Sequence, residues 1–131
     1  MLRKESMKQL SLALSILLAF GCAAATWPQT EQIDEAGLQF WTRFKAAVSK
    51  SDKEAVASMT RLPFLFDSRE LAKPDFIQKF NAIFDARVKR CFSKAKLVKE
   101  GDGFEVFCGK QVFLFEKVSG VYKFTEIGVN D

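Results

Sequence analysis

The chain has 131 residues and a formal net charge of +4, and it contains no histidine. This length is enough for one folded domain with one core. The lack of histidine excludes the commonest general base and every histidine-containing metal site. The sequence also has no glycine-rich phosphate loop, Gly-x-Ser-x-Gly elbow or dinucleotide fingerprint. We therefore predict no metal, no cofactor and no standard nucleophile site.

The first 25 residues predict a bacterial secretion signal. Arg3, Lys4 and Lys8 form a basic leader, and Leu10–Phe20 follows it without a charge. A basic segment, an apolar core of roughly 7–15 residues and a small-residue exit define such a signal. The uncharged stretch through Ala25 is shorter than the roughly 20 residues of a spanning helix. The alternative is a short buried helix of the folded domain.

Two cleavage sites overlap in this leader. Ala23–Ala25 would let an ordinary signal peptidase release a soluble protein from Thr26. The segment Ala19–Cys22 resembles a bacterial lipobox, and we favour cleavage at this second site. It predicts lipidation at Cys22, whose acyl chains would hold the protein at the membrane. Ala23 after the cysteine resembles outer-membrane sorting. We expect an outer-membrane lipoprotein facing the periplasm, with a soluble periplasmic or secreted protein as the alternative.

Residues 26–32 are predicted as a tether, and a single domain is predicted over 33–131. Apolar side chains recur at helical spacing through its first half, and Ser51 with Glu54 matches a capping box. A proline interrupts the apolar run Leu62–Phe66, which suits an edge segment. The predicted helices are Ile33–Ser49, Asp52–Met59 and Pro74–Asp85, the last continuing brokenly to about Cys91.

The second half of the domain changes to a period of two, which predicts strands. Glycines between the apolar runs indicate hairpin turns, because glycine accepts the positive φ that such turns require. Helices followed by a meander of strands predict an α+β fold, with N-terminal helices packed on a curved antiparallel sheet of about four strands. The predicted strands are Ala95–Lys99, Phe104–Cys108, Val112–Lys117 and Val121–Val129.

Cys91 and Cys108 are the only cysteines after the leader. In an oxidising compartment, two thiols in a small domain usually form a bridge. We therefore predict a disulfide between them, with two buried free thiols as the alternative.

The basic residues do not indicate a nucleic-acid partner. Removal of residues 1–22 takes away three basic groups and one acid, so the formal net charge falls from +4 to +2. One basic cluster remains, but aromatic residues do not alternate with it as they do in single-strand binders. We interpret it as a solvated edge. The cluster consists of Arg87, Lys89, Arg90, Lys94, Lys96 and Lys99.

The order of elements resembles the nuclear transport factor 2-like superfamily, which has a cystatin-type α+β fold. The likeness rests on the opening helical segment FWTRFKAAVSKSDKEAVASM, the following LPFLF and the closing hairpins FEVFCGKQVFLFEKVSGVYKFTEIG. The resemblance implies a sheet curved around the helices and a conical cavity. It also implies either isomerase or dehydratase activity or non-enzymatic binding, and it does not choose between them.

A tyrosine beside a carboxylate is the chemistry that ketosteroid-isomerase-like relatives use. Tyr122 is the sole tyrosine, and Asp67, Asp85 or Glu126 could face it. None of these residues matches a family motif, so we predict no catalytic residue.

Phenylalanine is unusually abundant, and thirteen of the fourteen follow the leader. We expect most of them in the core and some around an apolar pocket. A pocket with few polar groups favours the binding of a lipid-like or aromatic molecule over catalysis. The predicted pocket residues are Phe40, Phe44, Phe80, Phe84, Tyr122 and Phe124.

These features together favour an exported, non-enzymatic cell-envelope domain that binds a small apolar ligand or an envelope protein. One alternative is an isomerase- or dehydratase-type enzyme that uses a carboxylate in the cavity. Another is a homodimerising accessory module that uses the open face of the sheet.

Overall fold

The computed structural model describes Gly21 and residues 32–131. Apart from Gly21 and Gln32, the predicted leader and tether lie outside the described residues, and so does the predicted lipidation site Cys22. No helix in the described part of the chain is long and apolar enough to span a bilayer.

Helices occupy the first half of the described chain, and most strands occupy the second. The helices are α1 (Glu35–Ser49), α2 (Lys53–Ser58), α3 (Lys73–Gln78), α4 (Phe80–Ile83) and α5 (Ala86–Lys94). The strands are β1 (Phe64–Phe66), β2 (Arg69–Leu71), β3 (Leu97–Glu100), β4 (Gly103–Cys108), β5 (Gln111–Val118) and β6 (Val121–Val129). Strands β1 and β2 form a small hairpin, and β3 to β6 form an antiparallel sheet in chain order. The predicted α+β class, with helices packed on a four-stranded antiparallel sheet, is confirmed.

Aspartates begin three of the helices. Asp34, Asp52 and Asp85 precede α1, α2 and α5, and each carboxylate accepts a backbone N–H from three residues later, at 2.8–3.2 Å. Such caps stabilise a helix because its first N–H groups have no partner within it. The predicted capping box at Ser51 is therefore wrong. Ser51 lies just beyond the end of α1, where it adopts a φ of 54° and donates its N–H to the carbonyl of Val48.

The predicted third helix is divided into α3, α4 and α5. Pro74 lies in the first turn of α3, as expected. The helical path stops at Phe84 (φ −115°, ψ 69°), and Asp85 then begins α5. The rings of Phe80 and Phe84 nevertheless stay in contact, with centroids 5.0 Å apart. The breaks let the chain turn around a continuous aromatic core.

One face of the sheet packs against the helices through aromatic side chains. Phe104, Phe113, Phe115 and Phe124 are almost completely buried there. Phe115 lies edge-on to Phe44 of α1, with ring centroids 5.0 Å apart. Edge-to-face and offset contacts of this kind add to the free energy of apolar burial.

A disulfide joins the helical layer to the sheet. Cys91 of α5 and Cys108 at the end of β4 form the bridge, with their Cα atoms 5.8 Å apart. The predicted disulfide is confirmed.

Candidate functional site

The six residues predicted to line a pocket all lie in the core. Each is at most 6% exposed, and their rings pack on one another. Phe40 contacts Tyr122 at 6.0 Å between centroids, and Phe44 contacts Phe124 at 5.5 Å. Because these rings occupy the interior, a ligand among them would have to displace aromatic contacts. Their role as a ligand pocket stays a prediction.

Tyr122 has an acidic partner, but it is not one of the three predicted. Its hydroxyl donates a hydrogen bond of 2.8 Å to Oδ1 of Asp34, the residue that caps α1. Asp67 lies instead in the β1–β2 turn with a positive φ, Asp85 caps α5, and Glu126 is exposed on β6.

The pKa values of this pair are displaced in opposite directions. The hydrogen bonds from Tyr122, from the Gly37 N–H and from Lys117 lower the pKa of Asp34 from 3.8 to about 2. Burial, followed by the bond to Asp34, raises the pKa of Tyr122 from 10.0 to about 12. At neutral pH Asp34 is therefore an ionised, weak base, and Tyr122 keeps its proton.

The contacts of Asp34 fix the start of α1 on the β5–β6 hairpin. Its Oδ2 is 3.1 Å from Nζ of Lys117 on β5, and its Oδ1 accepts hydrogen bonds from both the Gly37 N–H and the Tyr122 hydroxyl. The sequence pattern placed Asp34 inside the predicted helix Ile33–Ser49 and did not indicate its role as the cap of α1. Its partner Tyr122 lies 88 residues away, so no local pattern could have identified the pair.

A surface groove of about 350 Å³ lies between α1 and α5. We call it the α1–α5 groove. Val48 and Phe92, which lie beneath it, are buried, whereas Lys45 and Lys89 at its sides are half-buried. The groove is lined by Thr42, Lys45, Ala46, Val48, Ser49, Lys89, Phe92 and Ser93.

Both lysines of the α1–α5 groove lie against aromatic rings. Lys45 Nζ is 5.9 Å from the centroid of Trp41, and Lys89 Nζ is 5.9 Å from that of Phe80. Lys89 also donates a hydrogen bond of 2.6 Å to Oγ of Ser51. Such positions bury an aliphatic stem and leave the ammonium group at the surface.

A second groove, of about 490 Å³, lies between α1 and α2 and shares Ala46 with the α1–α5 groove. Arg43, Lys50 and Asp52 contribute charges of both signs to it. The carboxylate of Asp52 is already used as the cap of α2. This second groove should therefore distinguish less strongly between anionic and cationic ligands than the α1–α5 groove.

The sheet face that points away from the helices carries exposed apolar side chains. Val98, Glu105 and Leu114 are neighbours across β3, β4 and β5, and Phe107 lies two residues beyond Glu105. We call these four residues the outer sheet face. Phe107 is 43% exposed and Val98 44%. Burial and the nearby Glu100 raise the pKa of Glu105.

The predicted basic cluster lies along α5 and the start of β3. Arg90, Lys94 and Lys96 are exposed, Arg87 donates to Oε1 of Gln111 at 2.8 Å, and Lys99 donates to the carbonyl of Gly101. Within residues 32–131, no group of three or more acidic or cysteine side chains is arranged to hold a metal ion.

The chain matches no protein-family model, no curated protein and no solved structure.

Proposed function

We propose that this chain is an exported, non-enzymatic cell-envelope domain that binds a small apolar ligand in the α1–α5 groove. The observation that carries the proposal is the groove itself, whose accessible lining is mostly apolar. Val48 and Phe92 lie beneath it and are almost completely buried, so the apolar surface comes from side chains above them, such as Ala46 and the aliphatic stems of the two lysines. Its volume of about 350 Å³ falls in the usual range of ligand sites, roughly 300–1,000 Å³. The site differs from the internal pocket that the phenylalanines suggested.

The proposed location follows from the leader and the cysteines. A basic, then apolar, N-terminal segment is typical of export, and a disulfide in a small domain fits an oxidising compartment. In this proposal Cys22 carries lipid and the domain faces the periplasm from the outer membrane.

The acid–base groups support binding over catalysis. In an isomerase or dehydratase, a carboxylate base works best when its pKa is raised toward the working pH. Asp34, the acid beside the sole tyrosine, has a pKa of about 2, and its oxygens already accept three hydrogen bonds. The pair is better suited to hold α1 than to abstract a proton.

Fluorescence titration with the uncharged apolar dye N-phenylnaphthylamine tests the proposal. The double variant Thr42→Phe/Ser93→Phe fills the groove from both walls, whereas Gln39→Phe/Gln78→Phe adds the same two rings at exposed helical positions outside it. If the new rings remove from the dye the contact area of about two methylene groups, at ~0.8 kcal/mol each, dye binding would weaken about tenfold. The control should bind like the wild type. Equal binding by both double variants would contradict the proposal.

A second candidate is self-association through the outer sheet face. The observation that favours it is the exposure of Phe107 and Val98 on one side of the sheet, because exposed apolar patches often mark interfaces. Size-exclusion chromatography with light scattering would then give a dimer, which Phe107→Glu should dissociate. A monomer at high concentration would remove this candidate.

A further inference from the structure

We infer that the ligand of the α1–α5 groove is a single-chain anionic amphiphile, a long-chain carboxylate, held by Lys45 and Lys89. This inference rests on the proposed function and adds the charge and size of the ligand. It follows from three features of the groove: its charge, its free hydrogen-bond donors and its volume.

The charged groups of the groove have one sign. Lys45 and Lys89 lie at its sides, and no carboxylate is among its lining residues. Neither lysine forms a salt bridge within residues 32–131, where Lys73 and Lys117 do. Two ammonium groups beside a mostly apolar lining complement a molecule with an apolar chain and a negative head.

The lysines are also the charged donors of the groove. The hydroxyl of Thr42 donates to the carbonyl of Leu38 at 3.0 Å, and that of Ser93 donates to the carbonyl of Arg90 at 2.6 Å. These two hydroxyl protons are therefore already donated to backbone carbonyls of α1 and α5. Each ammonium group carries three donor hydrogens, and Lys89 directs one of them to Ser51. A carboxylate head would receive charge-assisted hydrogen bonds from the others, which are stronger than neutral ones.

The size of the groove favours one acyl chain over two. A volume of about 350 Å³ lies near the lower end of the range for ligand sites, roughly 300–1,000 Å³. A free monoacyl carboxylate fits these dimensions better than a two-chain phospholipid in a bilayer.

Displacement of bound N-phenylnaphthylamine from the exported protein, as purified from the envelope, tests the inference. The competitors are dodecanoate, dodecanol and dodecyltrimethylammonium, each kept below its micelle concentration. We expect dodecanoate to bind at least about tenfold more tightly than the other two, since one charge-assisted hydrogen bond contributes on the order of a tenfold change. Lys45→Gln/Lys89→Gln should abolish this preference while the dye still binds.

The matched control is Lys50→Gln/Lys94→Gln, which removes the same charge from the ends of α1 and α5 outside the groove. It should keep the preference for dodecanoate. Circular dichroism shows whether the groove variant folds. If it does not, the ratio of the affinities of the wild type for dodecanoate and dodecanol still decides the inference.

Four outcomes would overturn the inference. The first two are equal binding of dodecanoate and dodecanol, and an unchanged preference for dodecanoate in Lys45→Gln/Lys89→Gln. The third is displacement of the dye by inorganic phosphate at the same concentration as dodecanoate. The fourth is binding to anionic phospholipid vesicles without binding to free dodecanoate. If dodecanol and the dye still bind in the groove, the proposed function stands without the inferred charge preference. If the dye does not bind in the groove, the proposed function itself fails.

Discussion

Asp34 has several structural roles that a single carboxylate seldom combines. It caps α1 through the Gly37 N–H, accepts the hydroxyl proton of Tyr122 and pairs with Lys117. The start of the first helix is thereby tied to the last hairpin of the sheet. An acid that donors hold in its ionised form contributes to stability, and this contribution depends on pH.

The stabilisation from Asp34 should disappear in acid. Because the folded-state pKa of about 2 lies below the ordinary 3.8, the contribution is complete above the ordinary pKa and is lost as the pH falls through about 2. We expect the difference in unfolding free energy between the wild type and Asp34→Asn to be constant above pH 3.8 and to shrink below it. Urea unfolding across this range measures it.

Asp67→Asn is the control for this prediction. Asp67 is exposed in a turn, and no side-chain hydrogen bond to it is present within residues 32–131. Asp67→Asn therefore controls for the loss of a carboxylate that makes no such contact. A difference between the wild type and Asp34→Asn that does not change with pH would show that the contacts do not favour the ionised form of Asp34.

Gly103 is required by packing. A Cβ at this position would collide with the carbonyl oxygen of Phe115 and lie 3.0 Å from Cα of Glu116. Backbone atoms cannot move aside as a flexible side chain can. We expect Gly103→Ala to lower the free energy of unfolding by about 1–3 kcal/mol, the usual cost of overpacking. Urea denaturation measures this change.

Gly128→Ala is the matched substitution in another strand. A Cβ at Gly128 would meet its nearest atoms at 3.6–4.0 Å, which is ordinary contact. This variant should be as stable as the wild type or gain up to about 1 kcal/mol, because alanine is less flexible than glycine in the unfolded chain. Equal losses in both glycine variants would contradict the packing argument.

Among the elements, α5 contributes to the core, to the α1–α5 groove and to the disulfide. Asp85 begins it, Phe92 packs into the core, Lys89 and Phe92 line the α1–α5 groove, and Cys91 joins it to β4. Its nine residues are fewer than an isolated helix needs for stability in water. Its place must therefore come from these tertiary contacts, of which the disulfide is the most constraining.

Removal of the disulfide should lower the stability of the domain. The bridge closes a separation of 17 residues, and the chain-entropy argument gives about 3 kcal/mol for a loop of this length. We expect Cys91→Ala/Cys108→Ala to lose about this much free energy of unfolding in urea. A reducing agent should have the same effect on the wild type and none on the variant. Unfolding curves that do not change on reduction would disprove the prediction.

At the scale of the whole molecule, the helices and the sheet enclose one aromatic core, and the ligand site we propose lies outside it. The groove is formed where two helices meet at the surface, so its occupation need not open the core. The outer sheet face is separate from the groove, since it lies on the side of the sheet away from the helices. Ligand binding and self-association can thus be tested independently.

The intact mass of the protein from its native host tests export, lipidation and the disulfide together. We expect a chain that begins at Cys22 and carries acyl groups, and an increase of two hydrogen atoms on reduction. A chain that begins at Thr26 without lipid would replace the proposed lipoprotein by a soluble exported form. The full-length chain in the cytosol with both later thiols reduced would contradict export altogether.

Much of the fold could be read from periodicity. The change from helical spacing to a period of two gave the α+β class and the four-stranded meander, because a half-buried strand alternates its faces. The predicted end of the third helix at Asp85 agrees with the break there, but the division between α3 and α4 was missed, because the buried aromatic stripe from Phe76 to Phe80 continues across it. The candidate site was missed as well, because Lys45 and Lys89 lie on two different helices and line one groove only after these have packed together.

The amino-acid sequence by itself determined the class of fold and the cysteine pair, because each depends on local pattern or on composition. Export stays a prediction of the same kind. Only the tertiary structure decided that Asp34 pairs with Tyr122, that the six predicted pocket residues pack into the core and that a groove with two lysines lies between α1 and α5. These features join residues far apart in the chain, and their contacts exist only after the helices have packed on the sheet.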